Sequence, residues 1–224
     1  MSGRWKITAV EAVHIQAFED SEWGQNCFVV WDEELNAVVV DPGFQAQEVL
    51  KYIREQGLQV RAILNTHGHV DHIAGNALLS SETSAPVLIH AADAHMLTDA
   101  SANFSRVLLG RDVVSPPASG YLESGEAVQV GKFRLIPLHT PGHSPGGVSI
   151  LLEVDGTLHA VFTGDTLFAG SIGRTDFPGS SHSTLVSAIR KNLLSLPDDL
   201  LVLPGHGEQT TIGRERETNP FLTV

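Results

Sequence analysis

Residues 66–72 read Thr66-His67-Gly68-His69-Val70-Asp71-His72, so three histidines and one aspartate fall within six positions. They directly follow the apolar run 62–64, which places them at the carboxyl end of a short buried strand. Two apart in extended chain, His67 and His69 can point the same way. Asp71 and His72 are adjacent and diverge in a turn, so one short loop can feed two neighbouring metal positions. Imidazole suits zinc or iron, and a carboxylate adds charge and a harder donor. Asp71 is equally a candidate general base beside a single ion. A surface loop that merely happened to be rich in histidine would have no reason to end a buried strand.

Three further turns repeat the pattern. Thr140-Pro141-Gly142-His143 follows the apolar stretch 133–138, Thr163-Gly164-Asp165 follows 158–162, and Pro204-Gly205-His206-Gly207 follows 200–203. Each is a strand end with a glycine that lets the backbone turn beside a crowded site and present one His or Asp. Core packing alone does not call for metal-type residues at four strand ends.

The elements behind these turns are legible in outline. Strands are expected over 7–18, 27–31, 37–40, 62–64, 87–90 and 158–162, with more between 122 and 155 and a last one at 200–203. A helix over 45–56 keeps Val49, Leu50 and Ile53 on one face and stops at Gly57; another over 184–194 spaces Leu185, Ile189 and Leu193 at helical intervals. Residues 102–120 have no clean period and read as a loop or short helix near a pocket. Strand-rich stretches at both ends suggest two packed sheets, each carrying helices.

The motifs at 66–72, 140–143, 163–165 and 204–206, in this order and spacing, resemble the metallo-β-lactamase superfamily and, within it, the glyoxalase II-like hydrolases. The resemblance spans nearly the whole chain. It implies one α/β domain over residues 1–224: a four-layer αββα sandwich of two mixed sheets packed face to face, helices outside, with a metal pair at one edge. Carried over residue by residue, His67, His69 and His143 hold one metal, Asp71, His72 and His206 hold the other, and Asp165 bridges them. The ions would be two divalent metals, with zinc as first choice and iron or manganese as alternatives. Even after Asp71, Asp165 and a bridging hydroxide offset part of the charge, the site stays positive. Such a field lowers the pKa of the bridging water from about 16 toward about 7 and yields a hydroxide nucleophile. Asp71 and Asp165 are the catalytic carboxylates in this reading, and Asp41 in Val40-Asp41-Pro42-Gly43 matches a family aspartate close to the ligands.

The stretch 164–177 looks like that of glyoxalase II-like thioesterases. There Arg174 matches a basic residue that holds a substrate carboxylate, a task suited to a guanidinium. An Arg merely paired with Asp176 is the bland alternative. The chain ends about 18 residues after His206, so it resembles short bacterial members without a C-terminal helical domain. The expected activity is hydrolysis of a thioester or ester such as S-D-lactoylglutathione, a glutathione conjugate. The Gly173-Arg174-Thr175-Asp176-Phe177 string also occurs in persulfide dioxygenases, which use one iron; His69, His143 and Asp165 would then be the triad. A non-catalytic metal-binding scaffold is a third reading.

Composition narrows the partners. Fourteen Lys and Arg against 26 Asp and Glu give a net charge of −12, which argues against binding nucleic acid or anionic membrane. Cys27 is the lone cysteine, which excludes an intramolecular disulfide and excludes a thiolate ligand at the motif turns. No signal-like or membrane-spanning apolar run is evident, so a cytoplasmic enzyme acting on a small molecule is expected. Among the remaining histidines, His14, His90, His95 and His159 read as structural or solvated, and His182 as helping to start the last helix. His139, four residues before His143, has the only case for supporting a ligand.

Overall fold

The computed structural model describes residues 3–10 and 12–223; Glu11 lies outside the described residues, and the expected 7–18 strand is instead parts of two strands that pair antiparallel. The first sheet has seven strands in sequence order: β1 (Gly3–Val10), β2 (Val13–Glu19), β3 (Asn26–Asp32), β4 (Asn36–Val40), β5 (Gln59–Leu64), β6 (Val87–Ile89) and β7 (Gly120–Tyr121). Pairing is antiparallel from β1 to β4 and parallel from β4 to β7. The second half supplies β8 (Val128–Val130), β9 (Phe133–His139), β10 (Val148–Val154), β11 (Thr157–Gly164), β12 (Leu167–Phe168), β13 (Ser171–Ile172), β14 (Leu201–Pro204) and β15 (Thr210–Thr211). Six of these form a sheet ordered β15-β14-β11-β10-β9-β8, mixed because β11 and β14 run parallel; β12 and β13 pair separately.

Alternation along the strands sorts the core into three layers. In β4, Val38 and Val40 face the space between the sheets, while Ala37 and Val39 face outward onto helices. In β10, Val148, Ile150 and Leu152 point to the same inter-sheet layer and Leu151 points away from it. Phe28 and Phe162 meet across the middle layer with ring centroids 5.1 Å apart. Burying each such side chain contributes about 1.5–3 kcal/mol, and that layer fixes one sheet against the other.

The outer layers are helical. Helix α1 (Ala46–Gln56) buries Ala46, Val49, Leu50 and Ile53 on the first sheet, and Gly57 ends it in the left-handed region at φ 69°. Helix α3 (Asn76–Thr83) packs beside it, after the single turn α2 (Val70–Ile73). Across the molecule, α5 (His182–Asn192) buries Leu185 and Ile189 on the second sheet, together with Ile212 of α6 (Ile212–Thr218). The architecture is the expected αββα sandwich. Within 102–120 the chain forms one short helix, α4 (Ser105–Leu109), preceded by a 3₁₀ turn over Ala91–Leu97.

Two local expectations change. His182 is the first residue of α5 and does not start it: the hydroxyl of Ser181 accepts from the Thr184 N–H, a short oxygen acceptor serving the orphan donors of a first turn. Nor is α5 the last helix, because α6 follows it.

Candidate metal centre

All four strand-end turns converge on one edge of the sandwich. Leaving β5, the chain presents His67 and His69 and then winds into α2 with Asp71 and His72; the β9–β10 turn brings His143. Asp165 follows β11 and His206 follows β14, neighbours in the second sheet. Asn26, at the start of β3, ties the last turn down: its side-chain amide donates to the carbonyls of Pro204 and Gly207, and its backbone N–H donates to Gly205. Gly205 is required by space. A Cβ there would lie 2.5 Å from Asp165 Oδ1 and 2.7 Å from the His72 ring.

The seven residues form overlapping clusters: His67, His69 and His143; His67, His72 and Asp165; and Asp71, His72 and His206. His143 Nε2 lies 2.9 Å from His69 Nδ1 and 3.5 Å from Asp165 Oδ2. His72 Nε2 is 3.3 Å from Asp165 Oδ1 and 3.6 Å from Asp71 Oδ2, and His206 Nε2 is 3.1 Å from Asp71 Oδ2. A tetrahedral ion with bonds of about 2.0–2.1 Å sets neighbouring donors roughly 3.3 Å apart, so the spacing fits. The chemistry of the atoms agrees. His67 Nε2, His72 Nε2 and Asp165 Oδ1 are buried without a hydrogen-bond partner, a state that costs stability unless something else satisfies them. The His/Asp clusters are consistent with a binuclear metal site. Asp165 presents one oxygen toward His143 and the other toward His72 and His206.

The other ring nitrogens are held from behind, which fixes ring orientation. His143 Nδ1 is 2.9 Å from the Arg174 carbonyl, His206 Nδ1 is 3.2 Å from that of Trp23, and His67 Nδ1 is 3.1 Å from Thr66 Oγ1. His72 Nδ1 is 2.9 Å from Asp41 Oδ2, and Asp41 also accepts from the Thr66 N–H and hydroxyl. Asp41 therefore stands next to the candidate ligands, as the resemblance implied, and does so from a left-handed backbone at φ 51°.

Electrostatics divide the site. Burial, reinforced by neighbouring imidazoles, holds His67 well below the usual histidine range and pushes His69 down to about 3, so both are neutral and ready to donate a lone pair. At His72 burial works against charge, but Asp71, Asp165 and Asp41 outweigh it and raise its pKa. Burial would raise the Asp165 carboxyl, yet His72 and His206 hold it well below the ordinary carboxylate range. Positive charge is thus stabilised among Asp71, Asp165 and Asp41, whether it arrives as a proton or as a cation.

The remaining candidates have contacts of their own. Arg174 forms a two-point ion pair with Asp176 at 2.7 Å and lies 4.2 Å above the Phe177 ring. His139 supports no ligand ring: it stacks on His90 at 4.3 Å, and its Nε2 lies 3.0 Å from the Pro145 carbonyl. The stacks of His90 on His139 and of His14 on Trp31 are structural contacts. One supporting residue is invisible to sequence reasoning. Asp93, fully buried, accepts from the backbone N–H of Gly68 and Gly146 and so pins the two histidine loops together. Nothing in Ala92-Asp93-Ala94 signals this. Among the described residues no helix is long and apolar enough to cross a membrane.

The family model for the metallo-beta-lactamase superfamily matches residues 20–206. A hydroxyacylglutathione hydrolase, GloC, of Haemophilus influenzae is 36% identical over 95% of this chain and 97% of its own length. A probable metallo-hydrolase, YqgX, of Bacillus subtilis is 41% identical over 98% and 97%. Among solved structures, the B3 metallo-beta-lactamase BLEG-1 superposes with a TM-score of 0.87 at 36% identity, covering 94% of this chain and all (100%) of that one. A protein solved in a di-iron-bound form has a TM-score of 0.74 at 34% identity, over 97% and 100%.

Proposed function

The chain belongs to the metallo-beta-lactamase superfamily, and from that premise we propose that it hydrolyses thioesters, with glutathione thioesters such as S-D-lactoylglutathione as the first class to test. The observation that carries this reading is Asp165, whose two oxygens face the two histidine clusters. His67, His69 and His143 would hold one divalent ion, Asp71, His72 and His206 the other, and Asp165 both. When bound, the ions would supply Lewis acidity toward an acyl carbonyl and lower the pKa of a water molecule. Zinc is the first candidate; the relative in di-iron form supports iron as an alternative, and manganese is a third choice.

The residues of the chain do the rest. Asp41 and the carbonyls behind the imidazoles keep the donor atoms aimed without reorganisation during turnover. The leaving group asks little of the protein. A thiol has a pKa near 8.5, so a thiolate departs without a strong general acid. The similarity to GloC supports a glutathione-bearing substrate.

Arg174 would meet a substrate carboxylate only by exchanging it for Asp176. Both partners are more than half exposed, so the exchange gains little. Arg174→Ala is expected to raise KM for carboxylate-bearing thioesters by less than about fivefold and to leave neutral thioesters unchanged. Equal losses on both substrate types would make Arg174 a purely structural residue.

The deciding assay uses zinc-loaded protein under anaerobic conditions with S-D-lactoylglutathione and simpler thioesters. Release of thiol at saturable rates is the expected result. No release, together with oxygen uptake on glutathione persulfide by the iron-loaded protein, would replace this reading by the mononuclear dioxygenase built on His69, His143 and Asp165. No turnover of either class would leave a metal-binding scaffold.

A further inference from the structure

Beside His69 and His143 lies a cavity of about 280 Å³ whose walls include Met96, Phe104, Pro145 and Pro178. None of its lining residues among those described is Lys, Arg, Asp or Glu. Phe104 is held there at a cost. Its backbone is left-handed at φ 66°, unusual for a bulky side chain. Its neighbours enforce this. Asn103, fully buried, donates to the carbonyls of Met96 and Val113 and accepts from the Ser105 N–H, and the Ser105 hydroxyl bonds Ala100 and Val113. The Asn103 carbonyl in turn accepts from the Val70 N–H, within the histidine motif itself.

Strain that the surroundings over-determine in this way marks a positioned group. The Phe104 ring lies 5.2 Å from the His69 ring and stacks on Phe177 at 4.6 Å and 24°. Phe177 in turn sets its edge against His69 at 5.4 Å. Two phenyl rings from separate loops therefore meet at one candidate metal ligand, next to a cavity whose other walls are Met96, Ala102, Pro145 and Pro178 with His95, Ser101 and Ser144 as its polar members. The nearby cations do not alter its character: Arg174 is paired with Asp176, and Arg106 is paired at two points with Asp112. Beside His206, by contrast, the adjoining cleft is lined by Glu19 and Glu208.

We infer that the Phe104 cavity is an acyl pocket, and that the preferred substrates are thioesters with a hydrocarbon acyl group longer than acetyl. The inference rests on the hydrolase reading and names its substrate class. The test holds the thiol constant and neutral, using N-acetylcysteamine thioesters from acetyl to hexanoyl on the metal-loaded protein. Burying apolar surface predicts that kcat/KM rises by about fourfold per added methylene. Phe104→Ala flattens that slope, and Phe104→Leu restores part of it, with metal content unchanged in both variants. A binding series keeps the pocket testable without turnover: calorimetry with acetate, butyrate and hexanoate on the same three proteins. Chain-length-dependent binding lost in Phe104→Ala, with no thioester cleaved, would uphold the pocket and sink the hydrolase reading. Flat series in both measurements, or slopes unaltered by Phe104→Ala, would overturn the acyl pocket.

Discussion

Replacing Asp165 by alanine is expected to lower kcat/KM on thioesters at least about a thousandfold, roughly 4 kcal/mol of transition-state stabilisation. The size follows from the position of one carboxylate. Asp165 Oδ1 lies 3.3 Å from His72 Nε2 and 3.7 Å from His206 Nε2, and Oδ2 lies 3.5 Å from His143 Nε2. In the proposed ligand set every other residue would serve one ion, whereas Asp165 would serve both. Its loss also withdraws negative charge that raises His72 and His206; those imidazoles then shed their protons more readily, but a cation beside them has less anionic charge to offset its own. Elemental analysis should show fewer ions per chain, while circular dichroism stays close to the parent, because Asp165 sits in a turn after β11 and outside the apolar layers. Asp165→Asn separates charge from shape: it keeps one neutral oxygen and should recover only a small part of the rate. A variant retaining a tenth of the activity with two ions bound would show that Asp165 does not join the two positions.

The candidate site was far more legible in the sequence than its support. His67, His69, Asp71, His72, His143, Asp165 and His206 stand out because they lie in four short segments that each follow an apolar strand, a local pattern that needs no knowledge of packing. Parallel and mixed pairing then brings distant strand ends to one edge. The layers were readable for the same reason, since alternation in β4 and β10 separates inward from outward faces. What sequence could not give are contacts between loops. Asp93 bridges Gly68 and Gly146, Asn26 holds Gly205, and Phe104 meets Phe177, all across long sequence separations with no periodic signal. The short helices were missed on other grounds. Four-residue α2 and seven-residue α6 are too brief to show a 3.6-residue repeat, and packing stabilises them more than propensity does. Arg174 stood out by its type, while its two-point pairing with Asp176 was visible in the sequence only as the alternative.

Chelation is expected to destabilise the whole fold as well as stop turnover. His67 Nε2, His72 Nε2 and Asp165 Oδ1 are buried without a hydrogen-bond partner, so without a cation the desolvation of His67 is uncompensated and that of the other two is offset only by their ion pairing. An ion that binds only the folded chain adds about 4 kcal/mol when its free concentration is a thousand times its Kd. For a chain of this length each kcal/mol moves Tm by about 2–4 °C. Stripping even one such ion should therefore lower Tm by about 8–16 °C, and a buffered zinc series should restore it logarithmically. The pH dependence has a definite sign. In the metal-free protein His72 and His206 have raised pKa values, so the stability they contribute is full below about 6.5 and is lost as pH rises through their folded values. The depressed Asp165 contributes above about 3.9 and loses its share as pH falls through its folded value. A cation competes with the protons on His72 and His206, so its affinity grows with pH. The gap in Tm between loaded and stripped protein should accordingly be wider at pH 8 than at pH 6, measured by thermal denaturation with and without chelator. A Tm that ignores both chelator and added zinc would mean that the clustered imidazoles and carboxylates bind no ion, and would remove the foundation of the hydrolytic reading.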